Sequence, residues 1–347
     1  MLQYDYKEIN NLLVKILRNH GVLLSIANKV AKSLLENEVM GYRSHGIIRI
    51  MQYIDDIKKG LLDIEAKPII DINSKQVGHI DGNKAFGNLV VNEIITQIKM
   101  LSKKNALCAI HVTNSHHVGR LYKIGFHLAK KPNNLFIIGF CNYLGNGRRV
   151  APPGVKSTAR LCTNPMLFAV PTNNNTPFVL DISTSTIAEG SIAYAKLNKR
   201  KLSKGILVDH NNEDILDPNA LYTTPPKATI TPLGYPYAAH KGYGLAVFVE
   251  AIVGTLANAG NISLPSDMSG NGLFILAINP TFFSNKNITS TAKNIIKLAY
   301  EPYESNDEYR YPGSKSKINT SKIKNQSLYI SKNLYQQVKK LAMTTLN

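Results

Sequence analysis

Leu107-Cys108-Ala109-Ile110-His111-Val112-Thr113-Asn114-Ser115-His116-His117-Val118-Gly119 is the stretch on which the fold reading turns. Its first six residues form a short run rich in apolar and branched side chains, the pattern of a buried strand. Residues 113–119 read as a loop carrying two histidines, and 120–130 read as an amphipathic helix. A strand that passes through a loop into a helix is the unit of an α/β fold, and such folds place their sites at strand ends. An imidazole at that point can give or take a proton near neutral pH.

Working outward, the spacing of apolar residues gives helices over 6–19, 25–40, 44–59, 88–103, 186–197, 242–258 and 332–343. Strands are expected over 77–81, 135–141, 166–170, 178–182 and 273–278. This alternation favours an α/β class with a largely covered sheet. Between 279 and 331 the chain reads as a polar stretch with a turn at Tyr311-Pro312-Gly313. Two segments, 142–165 and 225–242, are dense in glycine and proline and too long for ordinary connections, so they are expected to serve a site or to be disordered.

A second histidine segment is Ser44-His45-Gly46-Ile47-Ile48-Arg49. With Ser44 as N-cap, a helix would place Ile47, Ile50, Met51, Ile54 and Ile57 on one side. His45, Arg49, Gln52 and Asp56 would then share the other side, with His45 and Arg49 at i, i+4. A guanidinium one turn from an imidazole can hold a carboxylate beside a proton donor. The same pattern also fits a plain amphipathic helix with a solvated face, and the residues alone leave both readings open.

The chain has 347 residues, 44% of them hydrophobic, enough for two or three domains at roughly 100–200 residues each. Its net charge is +18, but lysines are scattered and the densest basic run, 196–204, lacks interleaved aromatics. This favours a surface that attracts small anions over nucleic-acid binding. His111, His116, His117 and His127 have no carboxylate among them and no zinc spacing, so no metal is expected. Cys108, Cys141 and Cys162 form no CxxC pair, consistent with reduced thiols. The opening MLQYDYKEINNLL lacks the charge and apolar pattern of a secretory signal, and no run reaches the about 18 apolar residues of a membrane span. A cytoplasmic location is the expectation.

No G-x-G-x-x-G opens a helix after a strand, and no phosphate-binding G-x-x-x-x-G-K-[ST] is present. A dinucleotide would need other groups. Asp181-Ile182-Ser183-Thr184-Ser185 offers hydroxyls and N–H groups where a strand enters a helix. His240-Lys241-Gly242-Tyr243-Gly244 offers a point charge and close backbone approach. An N-cap and a packed helix start explain the two segments equally well.

Taken together, SHGIIRIMQYIDDIKKG, IDGNKAFG, NSHHVG, APPGVKSTARLCTNP, PFVLDISTS, LDPNAL, PLGYPYAAHKGYGLAVFVEAIVG and YPG, in this order, resemble one family along nearly the whole chain. It is the malate/L-lactate dehydrogenase family of the non-Rossmann type. Its relatives include ureidoglycolate dehydrogenase, 2,3-diketo-L-gulonate reductase, sulfolactate dehydrogenase and Δ1-piperideine-2-carboxylate reductase. The resemblance implies a mixed sheet covered by helices, binding a dinucleotide without a Rossmann fold. It implies a helical, substrate-side domain from 1–115 and 285–347 and a cofactor-binding domain from 116–284. It also implies a homodimer using NAD or NADP.

By the same resemblance, His45 and His117 are the acid/base candidates, and Ser44 and Arg49 the substrate-site residues. The implied cofactor contacts are Thr163, Asn164, Asp181, Ile182, Ser183, Thr184, His240, Lys241, Pro312, Gly313 and Ser314. The chain departs from the family pattern at Cys162, where glycine is usual, in 235–240, where a tighter glycine turn is usual, and at Ser314, where an acid is usual. The expected reaction moves a hydride between a nicotinamide and the carbonyl carbon of a 2-oxo acid, a small carboxylate substrate. A cyclic imino acid reductase is the rival of the same kind. A non-catalytic anion or nucleic-acid binder is the rival of another kind.

Overall fold

The computed structural model describes residues 1–72, 74–145, 147–154, 158–172, 175–262, 270–284, 287–301, 311–314 and 327–345. Seven strands form one sheet. In chain order they are β2 (Ile69–Asp71), β3 (Val77–Asp81), β4 (Leu107–Ser115), β5 (Phe136–Leu144), β6 (Met166–Val170), β7 (Phe178–Ile182) and β10 (Gly270–Ile278). Across the sheet the order is β2-β3-β4-β10-β5-β6-β7. Only β3 and β4 run parallel; every other neighbouring pair is antiparallel. The sheet is therefore mixed, as expected, and β10 arrives from far along the chain to sit between β4 and β5.

Alternation along the strands builds two cores. Ile137 and Cys141 of β5 face the side covered by α4 (Gly87–Leu101) and α5 (Tyr122–Ala129), with Ile94, Ile98 and Leu128. Ile138 and Phe140 face the other side, against Val249 and Val253 of α7 (Ala239–Thr255). A separate helical layer joins α1 (Tyr6–Asn19), α2 (Leu24–Val39), α3 (Arg49–Lys58) and the helix Lys332–Leu341 around Leu13, Leu35, Ile50 and Val338. In this layer β1 (Leu2–Asp5) pairs with β11 (Ser327–Ile330). A fourth cluster, around Val150, Ile192, Leu207 and Ile230, joins α6 (Glu189–Leu197) to the pair β8 (Leu207–Val208) and β9 (Thr229–Ile230). Among the described residues no helix is long and apolar enough to cross a membrane.

Three expectations are corrected. The helix expected over 44–59 starts at Arg49; Arg43–His45 form a 3₁₀ turn instead, so Ser44 is not its N-cap. The cause lies outside the segment: the buried Glu38 carboxylate of α2 accepts from the Ile47 N–H at 3.0 Å and fixes a non-helical entry. The strand expected over 107–112 continues to Ser115, because Ser115 still pairs with Asn271 of β10. The polar reading after 279 missed α8 (Ile288–Tyr300).

Candidate active site

His117 follows the end of β4 by two residues, and Gly87 at the start of α4 presses on its backbone; a Cβ at 87 would collide with His117 and Val118. His45 lies in the 3₁₀ turn before α3, and Arg49 is the first residue of that helix. These separate elements converge. The rings of His45 and His117 lie nearly parallel, with centroids 5.7 Å apart. Together with Arg49 they line one hollow of about 750 Å³. The expected i, i+4 stacking on one helix is thus replaced by a turn folded against a helix start, with the same three groups brought together.

The Nδ1 edge of each imidazole is tied to the protein. Ser44 Oγ lies 2.9 Å from His45 Nδ1, and the Tyr53 hydroxyl lies 3.2 Å from His117 Nδ1. The donor in each bond depends on the tautomer. Burial first, then the charges of Arg49 and Arg120, push the His45 pKa down to about 3. Burial, followed by Arg49 and His45, holds His117 well below its usual value. Burial also pushes Tyr53 up to about 12, against the pull of Arg49. Both imidazoles are therefore neutral at pH 7, and Tyr53 keeps its proton.

Arg49 is held on three sides. Its Nε donates to Ser44 O at 2.7 Å, Nη1 donates to Gln52 Oε1 at 2.8 Å, and Nη2 lies 3.4 Å from Glu189 Oε2. A guanidinium has five N–H donors, so among the described residues two remain, the number a carboxylate takes in a bidentate pair. Gly190 permits this arrangement, since a Cβ there would strike the Arg49 guanidinium and Ser44 backbone. The Tyr222 hydroxyl donates to Glu189 Oε1 at 2.6 Å, and Lys196 lies 4.3 Å from the Tyr222 ring centroid. Asp56, expected on the polar helix face, is instead buried, and its carboxylate lies 2.8 Å from His116 Nε2. His116 thus sits beside the site as a structural partner of α3, while His117 faces the hollow.

The hollow also takes Asn142, Cys162, Thr163 and Asn164 from the glycine- and proline-rich segment 142–165. Asn164 is fully buried, and its Nδ2 donates to Ala246 O at 3.0 Å and Glu250 Oε2 at 2.9 Å. Two acceptors fix the amide orientation, and they leave Oδ1 buried without a hydrogen-bond partner among the described residues. The Cys162 thiol donates to Tyr143 O at 3.4 Å and is pushed up to about 12 by burial, so it stays protonated. Among the described residues, no three His, Cys, Asp or Glu side chains cluster as metal ligands.

A second hollow of about 920 Å³ shares Val118 with the first and extends past Arg120 and Tyr122. Two adjoining hollows of this size can take an extended dinucleotide, and the orphaned Asn164 carbonyl suits a donor such as a nicotinamide carboxamide. The other expected cofactor contacts line neither hollow. Asp181 accepts from the Tyr122 N–H at 2.9 Å, capping α5, and lies 3.8 Å from Arg120 Nε. Ile182 packs in the α7 core. Ser183 Oγ donates to Ser185 O, and Thr184 Oγ1 donates to the carbonyls of Thr163 and Asn164. His240 and Lys241 are exposed on the first turn of α7. The Pro312 carbonyl accepts from Val179 N–H at 3.0 Å, and Gly313 and Ser314 complete a turn against the start of β7.

The malate/L-lactate dehydrogenase family model matches residues 4–339. The chain belongs to the malate/L-lactate dehydrogenase family. Within that family it is 28% identical to the malate/(S)-sulfolactate dehydrogenase of Methanothermus fervidus, over 97% of this chain and 96% of that one. It is 25% identical to a Δ1-pyrroline-2-carboxylate/Δ1-piperideine-2-carboxylate reductase of Pseudomonas putida, over 86% and 85% of the two chains. Its fold matches the malate dehydrogenase of Entamoeba histolytica with a TM-score of 0.82 at 23% identity, covering 98% and 97%.

Sequence reasoning missed Tyr53, Glu189 and Tyr222. Tyr53 carried a signal: Arg49, Tyr53 and Asp56 fall at i, i+4, i+7 and share one helix face. Glu189 had none, because an acid in the first turn of a helix is ordinary dipole compensation.

Proposed function

We propose that this family member is an NAD(P)-dependent oxidoreductase that interconverts a 2-hydroxy acid and a 2-oxo acid. The observation that carries the reading is the convergence of two neutral imidazoles and a guanidinium with two spare donors on one hollow. When bound, a nicotinamide supplies or accepts the hydride at the substrate's C2. Arg49 grips the carboxylate and so fixes C2 relative to the histidines. In the oxidative direction a neutral histidine takes the hydroxyl proton. In the reductive direction the protonated histidine returns it to the carbonyl oxygen. A general acid/base of this kind contributes about 10²–10⁴-fold. Thr163 and Asn164 would hold the nicotinamide end, with the Asn164 carbonyl as acceptor.

Arg149 and Lys196 line the same hollow, which supports substrates with a second anionic group, as the malate and sulfolactate in the relatives' names have. The cyclic imino acid reading keeps the same clamp and changes only the bond reduced, and the reductase among the relatives favours it as the second reading. A homodimer in the cytoplasm belongs to this proposal. The outer face of α7 supports the dimer: Leu245, Val247 and Phe248 are exposed on it and Leu256 just past its end, with Lys241 as an exposed cation one turn before Leu245. The test is the loss of reduced-nicotinamide absorbance with pyruvate, oxaloacetate, sulfopyruvate and cyclic imino acids, using both cofactors. Turnover on a 2-oxo acid is expected. Turnover on imino acids alone would move the assignment to the second reading, and no turnover on any compound would overturn the enzyme reading.

A further inference from the structure

The second hollow carries more positive charge than its carboxylates offset. Lys29 and Lys32 enter from α2, Lys123 from α5, and Lys130 and Lys131 from the segment that follows α5, with Arg120 at the shared edge. Glu36 is the one carboxylate among the lining residues; it lies 3.8 Å from Lys32, and Lys123 also faces it. Arg120 is matched by Asp181 and stacked against Tyr42 and Tyr122. Among the described residues Lys123 donates to a neutral partner, Asn92 Oδ1, at 2.9 Å. Lys29, Lys130 and Lys131 have no ion pair among the described residues.

This crowding is unfavourable on its own. Burial and then Lys130, Lys123 and Lys99 push His127, on the wall of the same hollow, down to about 4. Burial and Lys99 lower Lys130 as well. Like charges gathered in a partly desolvated hollow are relieved by an anion. The hollow shares Val118 with the histidine site, so an extended dinucleotide held there would have its far end directed toward these lysines. A ribose diol needs an acceptor carboxylate, and Glu36 is already engaged by lysines; a ribose 2′-phosphate needs cations.

We infer that the lysines of this hollow receive the 2′-phosphate of the dinucleotide, so that the chain binds NADPH in preference to NADH. This rests on the hydride-transfer reading above. Lys29 stands on α2 and Lys130 directly after α5, so a phosphate held by both would join the two elements.

The chain has no tryptophan, so the fluorescence of the reduced nicotinamide reads binding directly. Titration of the full-length protein with each cofactor in dilute buffer is expected to give a Kd for NADPH at least about tenfold below that for NADH, the scale of one charge-assisted contact. Adenosine 2′,5′-bisphosphate is expected to displace NADPH at lower concentration than 5′-AMP. In the double variant Lys29→Gln/Lys130→Gln the NADPH Kd rises about tenfold while the NADH Kd holds, which also shows that the variant is folded. Equal binding of both cofactors by the wild type overturns the inference and leaves the hydride-transfer reading intact. Equal weakening of both cofactors in the variant overturns it too. Binding of neither cofactor overturns both.

Discussion

His45 and His117 owe their neutrality to burial and to Arg49, which in the proposed reaction would couple substrate binding to proton transfer. A carboxylate seated on Arg49 cancels one of the charges that depress both imidazoles, so their proton affinity rises when substrate binds. In the reductive direction activity falls as pH rises through the histidine pKa. That pKa is expected to be higher in the kcat profile, which reports the complex, than in kcat/KM, which reports the free enzyme. Identical profiles would show that Arg49 does not carry the carboxylate.

The same burial sets a stability signature. The unfolded His45 titrates near 6.5 and the folded one near 3, so below about 6.5 the unfolded chain binds the extra proton and stability falls with pH. By pH 5 this costs about 2 kcal/mol. Glu38 works in the opposite sense: burial raises it to about 7, so its contribution is present below about 4.5 and is lost as pH rises through 7. The difference in Tm between wild type and His45→Gln isolates the histidine. It is expected to shift in favour of the variant as pH drops from 7 to 5, and a constant difference would contradict the burial account.

At the level of elements, the site depends on how α3, α5 and α6 are held. Asp181 caps α5 and faces Arg120, so it acts on the fold before it can act on a cofactor. Asp181→Ala strands the Tyr122 N–H and is expected to cost about 1–3 kcal/mol. Denaturant unfolding checks this; an unchanged midpoint would return Asp181 to a purely ligand-facing role. Gly190 brings α6 against Arg49, and Gly190→Ala is expected to raise KM for the 2-oxo acid by about tenfold or more through displacement of the clamp. An unchanged KM would mean that the guanidinium has room to give.

Element identity was largely legible in the sequence where periodicity was long and local. Strands β3, β6 and β7 fall where alternation placed them. The entry to α3 was not legible, because Glu38, nine residues away, decides it. Helix α8 was overlooked although Ile288, Ala292, Ile295, Ile296 and Ala299 recur at helical spacing; polar flanks masked this row, and of its side chains only Ile296 is buried. In the site, both histidines and Arg49 could be read from their short motifs. Their supports Tyr53, Glu189 and Tyr222 come from three elements and meet only in the fold.

Across the whole molecule, the sheet order joins distant segments. β10 separates β4 from β5, and β1 pairs with β11 more than 300 residues away. No local pattern encodes such pairings, which are fixed by the packing of complete layers. The molecule also presents an unpartnered apolar surface. Phe248 on α7 is 49% exposed, and Leu256 is 60% exposed. With a net charge of +18, two copies repel over most of their surface, and contact costs least across a mainly apolar face of this kind. Light scattering is expected to show a dimer for the wild type and a monomer for Phe248→Asp. A wild-type monomer would leave the face without its assigned partner.

The convergence of Arg49 with His45 and His117 is tested most directly by a crystal structure of the chain with reduced dinucleotide and oxamate, a stable mimic of a 2-oxo acid. The expected result places the oxamate carboxylate on both remaining N–H donors of Arg49, with its carbonyl oxygen within hydrogen-bond distance of Nε2 of His45 or His117. Oxamate bound away from Arg49, or with neither imidazole in reach of its carbonyl, would contradict the account.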